Sequence, residues 1–89
     1  MAALAIHAAG NTYNPCLLIL AEKGYGLSSD ELENGMIYSA EKGENRFSGF
    51  SPPELLGIVV LGETFGGNWN RQQPDLLAGV LAKSADERP

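Results

Sequence analysis

The sequence predicts an α+β domain in which a three-stranded antiparallel meander packs one face on two helices, in the order αβββα, with a further helix at the C-terminus. Three observations predict it. An Asn-Pro start and a Lys-Gly stop bracket a short apolar run at 14–24. Aromatic and aliphatic residues spaced by polar ones, with two Gly-containing turns, fill 25–50. A run that opens and closes like a helix, yet is apolar in almost every direction, fills 51–67.

The first helix is expected over 15–23. Asn14 is a suitable N-cap, Pro15 loses no hydrogen bond at the first helical position, and Gly24 suits a left-handed stop with Lys23 at the negative end of the dipole. Three strands follow, over 25–31, 36–42 and 45–50. Asn34-Gly35 signals a tight type I′ hairpin and Lys42-Gly43-Glu44-Asn45 a longer turn. In the middle strand Met36, Tyr38 and Ala40 share one face and Ile37, Ser39 and Glu41 the other, so one face is expected to be buried.

Ser51 and Glu54 form an S-x-x-E capping box, with Pro52 at the first helical position and Gly66-Gly67 as the terminator. The competing reading is a buried strand, because Ile58, Val59 and Val60 are β-branched. Capping and length favour the helix. At 100° per residue Ile58, Leu61 and Phe65 lie together, Leu55 and Val59 come next, and Leu56 and Val60 continue around. One sheet face cannot cover all of that, so the first helix must cover a second sector and the C-terminal segment or a second subunit the remainder. The third helix is expected over 72–83, where Leu76, Leu77, Val80 and Leu81 form an amphipathic stripe after Gln73-Pro74-Asp75. Residues 84–89 read as a frayed charged tail, and Leu4 and Ile6 as a candidate extra strand.

The chain of 89 residues reads as a single domain, 14–71 being the αβββα core, and a domain this small buries only about 60–65% of its unfolded surface. Association would add to a thin stability margin. Eleven acidic against six basic residues give a net charge of −5, which repels phosphate and acidic lipid and argues against nucleic acid as partner. Cys16 is the only cysteine, so no internal disulfide or multi-cysteine metal site can form, and a cytoplasmic location follows from the reducing compartment this suggests. The longest unbroken apolar run, 58–61, is far short of the roughly 20 residues of a membrane span.

No residue set names a reaction or a cofactor. His7, the sole histidine, has no nucleophile pattern around it. Cys16 near a helix start has the dipole that lowers a thiol pKa, but its apolar neighbours favour a buried small residue. Asp30, Glu31 and Glu33 lack the spacing of a calcium loop and suit a solvated edge that resists sheet pairing. The loop at 66–71 has glycines but not the order of a phosphate loop. Within it Trp69, Asn70 and Arg71 are the candidate partner-binding residues, since Trp and Arg are enriched at interface hot spots, while a Trp after a helix also often folds back to close a core. The leading expectation is a small acidic, non-enzymatic interaction module, a regulator or immunity-like inhibitor, that forms a homodimer through its second and third helices. The alternatives are a small-molecule binder or enzyme using Cys16, His7 or the 66–71 loop, and a nucleic-acid-binding domain.

The αβββα order matches the topology of double-stranded-RNA-binding domains and of the similarly built small toxins of bacterial toxin–antitoxin pairs. The RNA binders carry lysines where Pro52, Pro53 and Glu54 stand here, and the toxins rely on a strand or loop histidine that this chain lacks, so the likeness implies topology and neither activity. Asn14-Pro15 with Leu17, Lys23-Gly24-Tyr25, Ala40-Glu41-Lys42, Phe47-Ser48, Ser51-Pro52 with Glu54 to Gly57, and Asn68-Trp69 form a more specific pattern. Over 14–71 the chain resembles small uncharacterised bacterial proteins with the pattern NP-x-L, KGY, AEK, FS-x-x-SP-x-ELLG and NW. That resemblance implies no activity.

Overall fold

In the computed structural model, which describes residues 3–71 and 73–86, the chain has the α+β architecture. A one-turn 3₁₀ helix at Gly10–Thr12 leads into α1 (Tyr13–Glu22), followed by β1 (Gly26–Leu32), β2 (Gly35–Lys42), β3 (Asn45–Gly49), α2 (Pro52–Phe65), a second 3₁₀ turn (Gly66–Asn68) and α3 (Leu76–Asp86). The strands form one antiparallel sheet in the order β1-β2-β3, with Ser39 opposite Ser28 on one side and Ser48 on the other.

Helix α1 starts two residues earlier than its sequence signals suggest. The 3₁₀ turn, closed by Thr12 N–H and Oγ1 donating to the Ala9 carbonyl, already begins the coil, and Thr12 rather than Asn14 is the N-cap. Pro15 then falls third in the helix, still within the first turn where its missing N–H costs nothing. The C-terminus is a Schellman motif: Tyr25 N–H donates to the Leu20 carbonyl at 3.1 Å and Gly24 N–H to that of Ala21 at 3.0 Å, with Gly24 at φ +96°. The motif turns Tyr25 back onto Leu20, and both are buried in the core.

The β1–β2 turn also differs from expectation. Leu32 pairs with Gly35, so Glu33 and Asn34 form the loop, and only Gly35 takes a positive φ, +141°. A type I′ turn needs positive φ at both central residues, so the turn is of another type. At the second hairpin Lys42 pairs with Asn45, and Gly43 at φ +61° takes the left-handed position.

Helix α2 begins at Pro52 as expected, with half of the capping box formed: Glu54 N–H donates to Ser51 Oγ at 3.3 Å, while Glu54 Oε1 accepts from Phe50 N–H at 3.2 Å, one residue before the N-cap. Leu55 and Val59 are fully buried against Leu20, Tyr25 and Ala40, with Tyr38, Phe47 and Leu56 packed around them. One sheet face therefore meets both helices. The opposite face carries the exposed Ser28 and Ser48 on either side of Ser39, which is buried, beside the exposed Glu41–Arg46 ion pair at 3.0 Å.

Two glycines set how closely α2 lies on β3. A Cβ on Gly49 would stand 2.8 Å from the Leu55 nitrogen and 3.1 Å from its Cα, and one on Gly62 would overlap the Phe47 ring. Gly49 beside Leu55 and Phe47 beside Gly62 make helix and strand antiparallel neighbours.

The ends depart most from expectation. Residues 3–9 contain no strand, and Leu4 and Ile6 are exposed. Helix α3 starts at Leu76 rather than at 72, because Asp75 Oδ1 accepts from Ala78 N–H at 3.0 Å and so caps it. It runs through Lys83 to Asp86, so 84–86 are helical rather than a loose tail, and 72 and 87–89 lie outside the described residues.

Candidate functional site

The apolar circumference of α2 divides into three sectors. Leu55, Val59 and Pro52 face the sheet and are buried. Leu56 and Glu63 turn toward α1, where the contact is fastened by a polar cluster: Lys23 Nζ and Tyr25 OH each donate to a different oxygen of Glu63 at 2.9 Å, and Lys42 Nζ donates to the Lys23 carbonyl at 2.7 Å. The Lys42 ammonium also lies 5.4 Å from the centre of the Tyr25 ring. The Lys23 and then the Tyr25 hydrogen bonds hold the Glu63 carboxyl below its ordinary range. Burial, followed by the Glu63 hydrogen bond and charge, raises the Tyr25 phenol above its own. The cluster ties the ends of α1, β2 and α2 together.

The third sector has no cover. Ile58 is exposed and Leu61 half-buried, and both border a hollow of about 330 Å³ lined also by Arg46, Phe47, Ser48, Gly62 and Trp69, with Phe65 exposed one turn beyond them on the same helix face. The hollow runs between α2 and the outer strand β3. Gly66 makes it by ending α2 at φ +58°, after which the 3₁₀ turn carries Trp69 N–H onto the Gly66 carbonyl at 3.3 Å. The indole reaches the groove yet stays 52% exposed, so it walls the hollow without closing the core.

The other candidate residues lie apart from the groove. Arg71 borders a separate open hollow with Thr64, Phe65, Asn68 and Gln73, and Gln73 Nε2 donates to the Trp69 carbonyl at 3.0 Å. Asn70 is exposed in the turn between them. His7 is exposed on the extended N-terminal segment, and Cys16 is a half-buried free thiol on α1. Among the described residues no group of three or more His, Cys, Asp or Glu is placed to hold a metal ion, and no helix is long and apolar enough to cross a membrane.

Sequence reasoning grouped Ile58, Leu61 and Phe65 but missed Phe47, Arg46 and Gly62 as their neighbours. Of the two glycines inside α2, Gly62 marks the close approach of Phe47 and Gly57 faces open space, so glycine alone was a partial signal. No family model, curated protein or solved structure matches this chain.

Proposed function

We propose that this chain is an acidic protein-interaction module that self-associates, with a homodimer built on α2 and α3, and that it acts by binding rather than by catalysis. The supporting observation is α3. Its apolar stripe is uncovered, with Leu76, Leu77, Val80 and Leu81 exposed by 75, 68, 62 and 60%, and among the described residues no other element packs substantially against it. A helix of 11 residues that shares no core is marginal in water, so its apolar face is explained by a surface that covers it. The uncovered sector of α2 supplies a surface of the same kind within the same chain. Trp69, with Arg71 nearby, adds the residue types that carry binding energy at interfaces. The net charge of −5 favours a protein partner over nucleic acid, and the lone Cys16 suits the cytoplasm.

Light scattering on the full chain and on the Val80→Glu/Leu81→Glu variant tests the proposal. The full chain should have the mass of two copies at high micromolar concentration, and the variant that of one, with the same circular dichroism and melting temperature in dilute solution. A monodisperse single-chain mass for the full chain at that concentration would contradict the proposal.

A further inference from the structure

The groove and α3 fit each other in length, charge and area. From Ile58 to Phe65 the α2 stripe extends about 10 Å along the helix axis, and from Leu76 to Leu81 the α3 stripe extends about 8 Å. Phe47 packed against Gly62 supplies the floor, and Trp69 stands at the Phe65 end. Arg46 lies at that end too, one residue from Phe47, while Glu54 lies one turn before Ile58 at the other. An α3 antiparallel to α2 would set Lys83 toward Glu54 and Asp75 toward Arg46, which within its own chain pairs with Glu41 at 3.0 Å.

The chain's own α3 does not occupy the groove. The radius of gyration is 16.0 Å, against about 12 Å for a compact chain of this length, as expected when terminal elements stand off the body. If two copies exchange these helices, the apolar side chains of α3 together with Ile58, Phe65 and Trp69 remove up to about 700 Å² per copy, within the range of a standard stable interface. Such an exchange is two-fold symmetric and closes on itself, because each copy offers one helix and one groove.

We infer that the groove between α2 and β3 is the seat of α3 from a second copy, so that the dimer is a reciprocal exchange of C-terminal helices. The inference rests on the self-association proposed above and gives it a geometry. Ile58 and Val80 face each other across the exchanged contact, and both are exposed in the single chain, so cysteines there leave the core untouched.

The test uses two proteins in a Cys16→Ser background, one carrying Ile58→Cys and the other Val80→Cys, mixed and oxidised. The expected result is a covalent dimer joining the two different variants in large excess over either variant joined to itself. A full chain that has a dimer's mass, with no 58-to-80 cross-link, would overturn the groove assignment and leave self-association standing. A chain carrying both cysteines that oxidises within itself and keeps a single-chain mass would show α3 folded onto its own groove, which overturns the exchange. A full chain that stays single at every concentration would remove both the exchange and the proposal beneath it.

Discussion

Three glycines near one helix make a stability prediction whose sign changes with position. Gly49 lies on β3 where a Cβ would stand 2.8, 3.1 and 3.2 Å from the Leu55 nitrogen, the Leu55 Cα and the Glu54 carbonyl carbon. These are backbone atoms of α2, short of the ~3.5 Å at which carbon contacts settle, and they cannot rotate away. Gly49→Ala must push the helix off the sheet at the point where Leu55 is fully buried, an overpacking cost of about 2 kcal/mol. In a domain of this size that lowers the melting temperature by roughly 10 °C. Gly57, on the far side of the same helix, has no atom within 4 Å of its added Cβ. Gly57→Ala there gains helix propensity and should stabilise by about 0.5–1 kcal/mol. Gly62→Ala falls between, because the Phe47 ring it meets can turn, although only against Tyr25 at a ring separation of 6.1 Å. Thermal and urea melts followed by circular dichroism give the three values. A Gly49→Ala stability within about 0.5 kcal/mol of the parent, or a Gly57→Ala loss matching it, would refute the close approach of α2 to β3.

Other changes address the caps, the polar cluster and the core. Ser51→Ala should cost about 1 kcal/mol, since Glu54 N–H loses its acceptor at the start of α2, and a denaturant midpoint measures it. Glu63 has a folded pKa below its unfolded one, so its contribution is present above the ordinary carboxylate pKa and is lost as pH falls through the lowered value. Acid melts of the parent should therefore steepen below about pH 4.5, and Glu63→Gln should flatten that part of the profile. Leu55→Ala empties a fully buried position and should cost about 3 kcal/mol, a large share of the stability of so small a domain, read from the same melts.

Where local chemistry decides, the sequence was legible. Ser51, Glu54 and Pro52 act on the first turn of α2 alone, so its start could be placed without knowing what it packs on. The same holds for Gly24, whose left-handed conformation ends α1, and for the alternation that puts Tyr38 and Ala40 on the buried face of β2. Elements whose limits depend on neighbouring turns were less legible: the 3₁₀ turn at Gly10–Thr12 moved the start of α1 away from its Asn-Pro signal. The Asn34-Gly35 pair was displaced because Gly35 alone takes the positive φ. The groove was half legible. Helical periodicity put Ile58, Leu61 and Phe65 together, but the approach of Phe47 to Gly62 depends on how β3 and α2 lie side by side, which no local pattern encodes. The Lys23–Glu63–Tyr25 cluster was hidden for the same reason, joining residues 38 and 40 positions apart.

Emission from the only tryptophan reads the central claim, that the outer sector of α2 is left for a second copy to cover. Trp69 is 52% exposed at the end of that sector, and association should shift its fluorescence to shorter wavelength as concentration rises, in step with a mass increase from 9.5 kDa toward twice that value. An emission maximum that stays fixed while the mass doubles, or a mass that never leaves 9.5 kDa, would contradict it.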